Sequence, residues 1–166
     1  DMKKILELGE RYGVGITVKD RRYGQLGDEL TLEKAAEYLS DYQRHKAFCG
    51  VHGVDEPETS DYYMNDALDT TDLISKYAKQ INILAELGVW SYGNLLPCGN
   101  YSDGERYEKY VKEWLETCNV KMLMWDKYVH STTGEEADYF YNMSLGRELA
   151  NEYQRPFWAY VQCGIQ

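Results

Sequence analysis

The stretch that decides the fold is Cys49–Pro57, which runs C-G-V-H-G-V-D-E-P. It is a short run of apolar and small residues that ends in two adjacent carboxylates and a proline. Helix-forming sequence follows, and this pattern predicts a buried parallel strand that leads into a βα loop. Pro57 cannot donate to a strand ladder, so we expect the strand to end there. Alternation would place on one face His52, Val54 and Glu56, and on the other Val51, Gly53 and Asp55.

The same alternation of strand and helix extends in both directions from this stretch. Hydrophobic patterning predicts strands at 14–18, 47–56, 89–92, 120–125 and 157–162. Helices are predicted at 3–12, 32–39, about 71–87, 102–117 and about 136–153. Regular strands with a helix between each pair predict a parallel sheet joined by right-handed crossovers.

Two sheet architectures fit this order of elements. The first is part of a TIM (β/α)8 barrel, with about five parallel strands and their helices. The alternative is an open five-stranded doubly wound sheet. A complete barrel typically needs about 250 residues, whereas this chain has 166. We therefore expect residues 1–166 to be a single (β/α)-repeat unit, a fragment of a larger barrel with two units before it and one after.

Charge and composition exclude several classes of partner. Asp and Glu number 28 against 18 Lys and Arg, which gives a formal net charge of −10. Nucleic acid and anionic membranes are therefore not expected as partners. The four cysteines show no metal-ligand spacing, so we predict no metal and no other cofactor. Composition leaves the oligomeric state and the cellular compartment open.

Polar residues stand at the carboxyl end of every predicted strand. In chain order these residues are Lys19 and Asp20, Asp55 and Glu56, Asn94, Asp126 and Tyr128, and Gln162. Aromatic residues precede two of the ends, namely Trp90, Tyr92, Trp158 and Tyr160. Barrel active sites lie at the carboxyl ends of the strands, so these residues and His52 predict one ligand-facing rim. Aromatic faces and polar side chains suit a hydroxyl-rich ligand such as a sugar.

Glu56 is the predicted catalytic residue at this rim. A carboxyl group at the mouth of a barrel, close to another acid, can have a raised pKa and act as a proton donor. Cleavage of a glycosidic bond needs such a donor together with a second carboxylate. An acid pair at Asp55 and Glu56 is also compatible with a helix start, where negative charge favours the helix dipole.

Four blocks of the sequence resemble a group of bacterial glycoside-hydrolase-like (β/α)8 proteins. The blocks are G-V-D-E-P (53–57), N-L-L-P (94–97), W-D-K-Y (125–128) and P-F-W-A-Y-V-Q (156–162). That group is similar to the large clan of retaining glycosidases whose barrels have N-E-P or D-E-P at the end of strand four. The resemblance implies that Glu56 is the general acid/base and that Asp55 takes the place of the usual Asn. The cellular compartment stays open, with a secreted or cell-envelope location as one option for a longer parent protein.

One position departs from the pattern of that clan. Its nucleophile is a Glu at the end of strand seven, near which this chain has Gln162, and an amide cannot act as a carboxylate nucleophile. Three explanations stay open: the second carboxylate lies beyond residue 166, it is Asp126 on strand six, or the protein binds sugar without cutting it. Asp126 is equally compatible with an ordinary capping role.

The predicted function is hydrolysis of O-glycosidic bonds in an oligo- or polysaccharide. The alternative is a non-catalytic carbohydrate-binding barrel that lacks a complete carboxylate pair. A third hypothesis is a small five-stranded sheet protein with an unrelated ligand. Because an open barrel leaves unpaired edge strands and half a site, we expect the isolated fragment to be inactive.

Overall fold

The computed structural model describes residues 1–20, 22, 29–55, 70–95, 104–131, 134–135 and 138–163. Its helices are α1 (Met2–Tyr12), α2 (Leu32–Leu39), α3 (Thr70–Glu86), α4 (Gly104–Thr117) and α5 (Tyr139–Glu152). Its strands are β1 (Ile16–Val18), β2 (Phe48–Asp55), β3 (Ser91–Leu95), β4 (Leu123–Asp126), β5 (His130–Ser131), β6 (Gly134–Glu135) and β7 (Phe157–Tyr160). The predicted order of elements is confirmed, and the small β5–β6 hairpin is an addition to it.

Local signals in the sequence set the ends of the helices. The Thr31 side chain accepts a hydrogen bond from the Lys34 backbone N–H at 3.3 Å and caps the start of α2, as predicted. Gly13 ends α1 and Gly88 follows α3, with φ of 66° and 72°. Glycine is favoured in this left-handed conformation because it has no Cβ to clash.

Five strands form one parallel sheet in the order β1-β2-β3-β4-β7. Strands that are neighbours in this sheet are also successive in the chain, because β5 and β6 pair only with each other. A doubly wound sheet needs a reversal of strand order, so that alternative is wrong for the described strands. The broader prediction of an α/β fold with parallel strands is confirmed.

The helices pack against one face of the sheet. Val18 of β1 and Val51 of β2 are paired in register, and both are buried under helices. Val18 clusters with Leu6 of α1, and Val51 clusters with side chains of α2 and α3. Farther along the sheet, Leu123 belongs to the cluster formed by α3, α4 and α5. The opposite face of the sheet has no helix packed against it among the described elements.

Close packing of α5 on the sheet depends on Gly146. A Cβ at this position would lie 2.8 Å from Phe157 Cε2 and 3.0 Å from Trp125 Nε1. The Trp125 and Phe157 rings stack with their centroids 6.0 Å apart, which joins β4 to β7 beneath α5. Alternation then directs the neighbouring side chains, Met124 and Trp158, toward the helix-free face.

Candidate functional site

The helix-free face of the sheet contains a cavity of about 190 Å³. Its lining residues come from both ends of the strand order and are Thr17, His52, Met124, Trp158, Ala159 and Tyr160. His52, Trp158 and Tyr160 are among the ligand-binding residues that the sequence predicted. The structure therefore brings together side chains from β2 and β7, which are far apart in the sequence.

The cavity requires a strongly curved sheet. Thr17 lies on β1 and Trp158 on β7, and these are the first and last strands of the five. In a flat sheet, four strand spacings would separate them by about 19 Å. A cavity of about 190 Å³ that touches both strands therefore lies within the concave side of a curled sheet. This concavity distinguishes the helix-free face from an ordinary solvent-exposed sheet surface.

Two aromatic side chains of β7 form one wall of the cavity. Trp158 is 56% exposed and Tyr160 is 47% exposed, and both contribute to the lining. Large aromatic side chains left accessible in a concave site provide flat apolar surfaces, and the tyrosine adds a hydroxyl group. Such a wall suits a ligand with an apolar ring face and polar edges.

His52 also lines the cavity, and its side chain therefore lies on the cavity side of β2. Its neighbour Val51 is fully buried under the helices, so the predicted alternation is confirmed for these two residues. The register with β3 shifts between His52 and Val54, and the side chains of Val54 and Asp55 lie outside the described structure, so the faces predicted for them stay predictions. A bulge of this kind inserts a residue and changes which positions share a face.

The shift in register aligns several predicted site residues in one row across the sheet. Asp55 pairs with Asn94, Asn94 pairs with Met124, and Met124 pairs with Trp158. Two residues farther toward the carboxyl ends of β4 and β7, Asp126 pairs with Tyr160. The backbones of Asp55, Asn94 and Trp158 therefore share one row with Met124, and the ligand-binding role of this row stays a prediction.

Several predicted residues are placed by their backbone alone. Tyr92 pairs with His52 in the sheet, and the side chains of Tyr92, Asp55, Asn94 and Asp126 lie outside what the structure describes. Glu56, the predicted proton donor, lies outside the described residues altogether. It follows directly after Asp55, the last residue of β2. The catalytic roles assigned to Glu56 and Asp126 thus stay predictions.

Asp20 does not line the cavity as predicted, and its side chain is bonded to neighbouring residues of the fold instead. Its carboxylate accepts hydrogen bonds from Arg22 Nε at 2.8 Å and from the Tyr42 hydroxyl at 2.8 Å. Burial opposes ionisation of Asp20, but the bonds from Arg22 and Tyr42 outweigh it, so the pKa of Asp20 is lowered. Tyr42 is part of the cluster beneath α1. Asp20 therefore ties the end of β1 to the helix side of the fold.

Four other predicted residues are described but do not line the cavity: Lys19, Trp90, Tyr128 and Gln162. Trp90 precedes β3 at its amino end, where its carbonyl accepts a hydrogen bond from the Val51 N–H at 2.9 Å. The other three follow the carboxyl ends of β1, β4 and β7. These three residues follow the strand ends in sequence, as the prediction required, but their side chains are not part of the cavity lining.

The sequence prediction missed two lining residues, Thr17 and Met124. Both residues could be identified from the sequence, Thr17 by its polarity and Met124 by alternation. Thr17 is the only polar residue of V-G-I-T-V, and Met124 stands two positions before Asp126. In a strand, residues two apart share a face, so Met124 follows from the choice of Asp126.

Two features can be stated for the described residues alone, namely metal-ligand groups and membrane-spanning helices. Within those ranges, no three His, Cys, Asp or Glu side chains are grouped as a metal site. No helix in the same ranges has the length and apolar character needed to cross a membrane. Within the described ranges, Cys49, Cys118 and Cys163 are not joined in a disulfide, and burial raises the pKa of Cys118 to about 12.

Comparison with known proteins gives no relative for this chain. No protein-family model matches it, and neither the curated proteins nor the solved structures include a significant match. The resemblance to glycoside-hydrolase-like barrels therefore depends on the four sequence blocks alone.

Proposed function

We propose that the chain is an arc of a (β/α)8 barrel that binds carbohydrate in the cavity on its concave face. The observation that supports this proposal is the cavity between Trp158, Tyr160 and His52, lined by strands from both ends of the sheet. A curled parallel sheet with sequential strand order and helices on its outer face has the architecture of a barrel arc. The cavity is small, which suits a single ring-sized group of a larger ligand.

The proposed activity is hydrolysis of O-glycosidic bonds, with Glu56 as the general acid/base. The carboxylic acid of Glu56 would protonate the leaving oxygen as the bond to the anomeric carbon breaks. A second carboxylate would either take a proton from the attacking water or form a glycosyl ester that water then hydrolyses. Asp126 is the candidate for this role, because its position on β4 pairs with Tyr160 of the aromatic wall.

The alternative proposal is a carbohydrate-binding barrel without hydrolytic activity. Gln162 favours it, because this half-buried residue lies two positions beyond β7, near the place where the resembled clan has its nucleophile. An amide in that position can hydrogen-bond a sugar hydroxyl but cannot supply a carboxylate. Binding of a glycan that is never cut would support this alternative.

The experiment that separates the two proposals compares Glu56→Gln with Glu58→Gln in a longer parent protein that completes the site. Both substitutions remove one carboxylate from the same segment, so Glu58→Gln is the matched control. Hydrolysis predicts that Glu56→Gln lowers turnover by about a hundredfold or more while sugar affinity is largely kept. The control should retain activity. Equal turnover in the wild type and in Glu56→Gln would remove Glu56 from the mechanism.

A further inference from the structure

Helix α1 has a second apolar stripe that is exposed to solvent. Leu6 and Gly9 are buried against β1, but Ile5, Leu8 and Tyr12 are 44%, 45% and 67% exposed. The spacing of these three residues places them along one side of the helix. A surface helix normally has one apolar stripe, directed at its own core, so a second stripe indicates a second packing partner.

The other flank of α1 faces the segment that leads to β2. Lys3 Nζ lies 2.9 Å from Asp41 Oδ1, and Glu10 accepts a hydrogen bond from the Lys46 N–H at 2.6 Å. On a helical wheel, Lys3 and Glu10 are opposite the stripe of Ile5, Leu8 and Tyr12. The exposed stripe is therefore on the side of α1 that points away from β2, beyond the edge of the sheet.

At this edge of the sheet, β1 also lacks a strand partner. It pairs with β2 on one side, and no described strand pairs with its other side. Its residues are Ile16, Thr17 and Val18, without the charge or proline that commonly protects an edge strand. An unpaired strand edge and an exposed apolar helix stripe thus adjoin each other.

The packing of α1 matches that of the crossover helices. Each of α2, α3, α4 and α5 connects two strands that are neighbours in the sheet, and each packs on the same face. α1 leads into β1 through Gly13, as α3 leads into β3 through Gly88. In a sheet of this order, a helix that enters a parallel strand comes from that strand's neighbour.

We propose that the free edge of β1 and the stripe of Ile5, Leu8 and Tyr12 form a docking surface for a further strand–helix unit of the same polypeptide. The strand of this unit joins α1 and pairs parallel with β1, and its helix packs on the stripe. The surface continues the helix layer and the strand pairing already present between successive units. This inference rests on the barrel arc of the proposed function, but it does not depend on whether the cavity binds sugar.

Charges beside the stripe argue against a second copy of the chain as its occupant. Lys4 and Arg11 are exposed next to the stripe, and the Arg11 guanidinium lies 5.4 Å from the centre of the Tyr12 ring. In a symmetric pair of chains the stripe would meet itself and bring these cations together. A docking helix with carboxylates opposite Lys4 and Arg11 would complement them instead.

The test measures the accessibility of the stripe in residues 1–166 and in a longer parent polypeptide that includes the preceding segment. A cysteine introduced by Leu8→Cys is labelled with a maleimide, and the rate is read by peptide mass spectrometry. Glu7→Cys is the matched control, because Glu7 is exposed and lies off the stripe. Labelling at position 8 should be slower by about tenfold or more in the longer polypeptide, because burial limits reaction to local opening. Labelling at position 7 should be nearly unchanged.

Two results would overturn the proposal. One is the same labelling rate at position 8 in both polypeptides. The other is protection of position 8 in residues 1–166 together with a dimeric mass by light scattering, which would assign the stripe to a second copy. If the Leu8→Cys protein does not fold, Tyr12→Cys reports on the same stripe from its most exposed position.

Discussion

Met124 and Trp158 pair with each other across β4 and β7, and both line the cavity. The residue after Met124 is Trp125, which is buried on the opposite face beneath α5. Alternation in a single strand thus gives a cavity-lining residue and a core residue in direct succession. This separation allows stability and ligand binding to be tested by different substitutions.

Trp125→Ala and Trp158→Ala should have very different effects on stability. Trp125 is 2% exposed, so its truncation should lower the free energy of unfolding by about 3–5 kcal/mol. Trp158 is more than half exposed, and its loss should cost less than about 1 kcal/mol. Urea unfolding of both variants measures the difference. Similar losses would contradict the assignment of the two faces.

Gly146→Ala should destabilise the protein although alanine favours helices. The added Cβ would contact the Phe157 ring and the Trp125 indole nitrogen at 2.8 and 3.0 Å. Overpacking of this kind typically costs about 1–3 kcal/mol, against a gain of about 1 kcal/mol in helix propensity. Thermal unfolding should therefore show a lower midpoint than in Ser144→Ala, a control in the same helix. A raised midpoint for Gly146→Ala would mean that α5 is not packed this closely.

Asp20→Asn should remove an acid-dependent part of the stability. The pKa of Asp20 is lower in the folded protein than its ordinary value, so folding favours the ionised carboxylate. The stabilisation is fully present above the unfolded pKa of about 3.9 and is lost as the pH falls through the lower folded pKa. We expect the wild type to exceed Asp20→Asn by about 1–3 kcal/mol at neutral pH.

The measurement for Asp20 is urea unfolding at several pH values between neutrality and pH 2. The difference between the wild type and Asp20→Asn should shrink toward the acid end, whereas the exposed control Glu7→Gln should show little difference throughout. A constant difference would show that the charge of Asp20 is not what stabilises the fold.

Cys118 should resist thiol reagents in the native protein. Burial raises its pKa to about 12, so almost none is thiolate at pH 8. Cys49 and Cys163 are exposed and should react. Labelling at pH 8 with and without denaturant, followed by peptide mass spectrometry, checks this. Rapid native labelling of Cys118 would mean that α4 does not pack as the structure shows.

Much of the fold can be predicted from the sequence because its signals are local. Apolar periodicity identified the five helices α1 to α5 of the described residues, and Thr31 and Gly13 marked helix ends by their own chemistry. The strand order also follows from regular alternation of strand and helix. The β5–β6 hairpin was missed because it is only two residues long on each side.

The site is harder to predict because it depends on contacts between distant segments. The register shift after His52 falls at Gly53, and although a glycine within a strand suggests a bulge, the shift itself arises from pairing with β3. Asp20 was assigned to the rim because it follows a strand, yet Arg22 and Tyr42 hold it on the helix side. Trp158 and Tyr160 were found because alternation along β7 is regular.

The most direct test of sugar binding on the concave face is calorimetric titration with a panel of oligosaccharides. It compares the wild type with Trp158→Ala and with Phe140→Ala, which removes an aromatic residue that is 74% exposed on α5. A bound sugar should lose about fivefold or more in affinity on Trp158→Ala, since a stacking surface of this size is worth about 1 kcal/mol or more, and should be unaffected by Phe140→Ala. A sugar that binds Trp158→Ala as tightly as the wild type would contradict the assignment of this cavity.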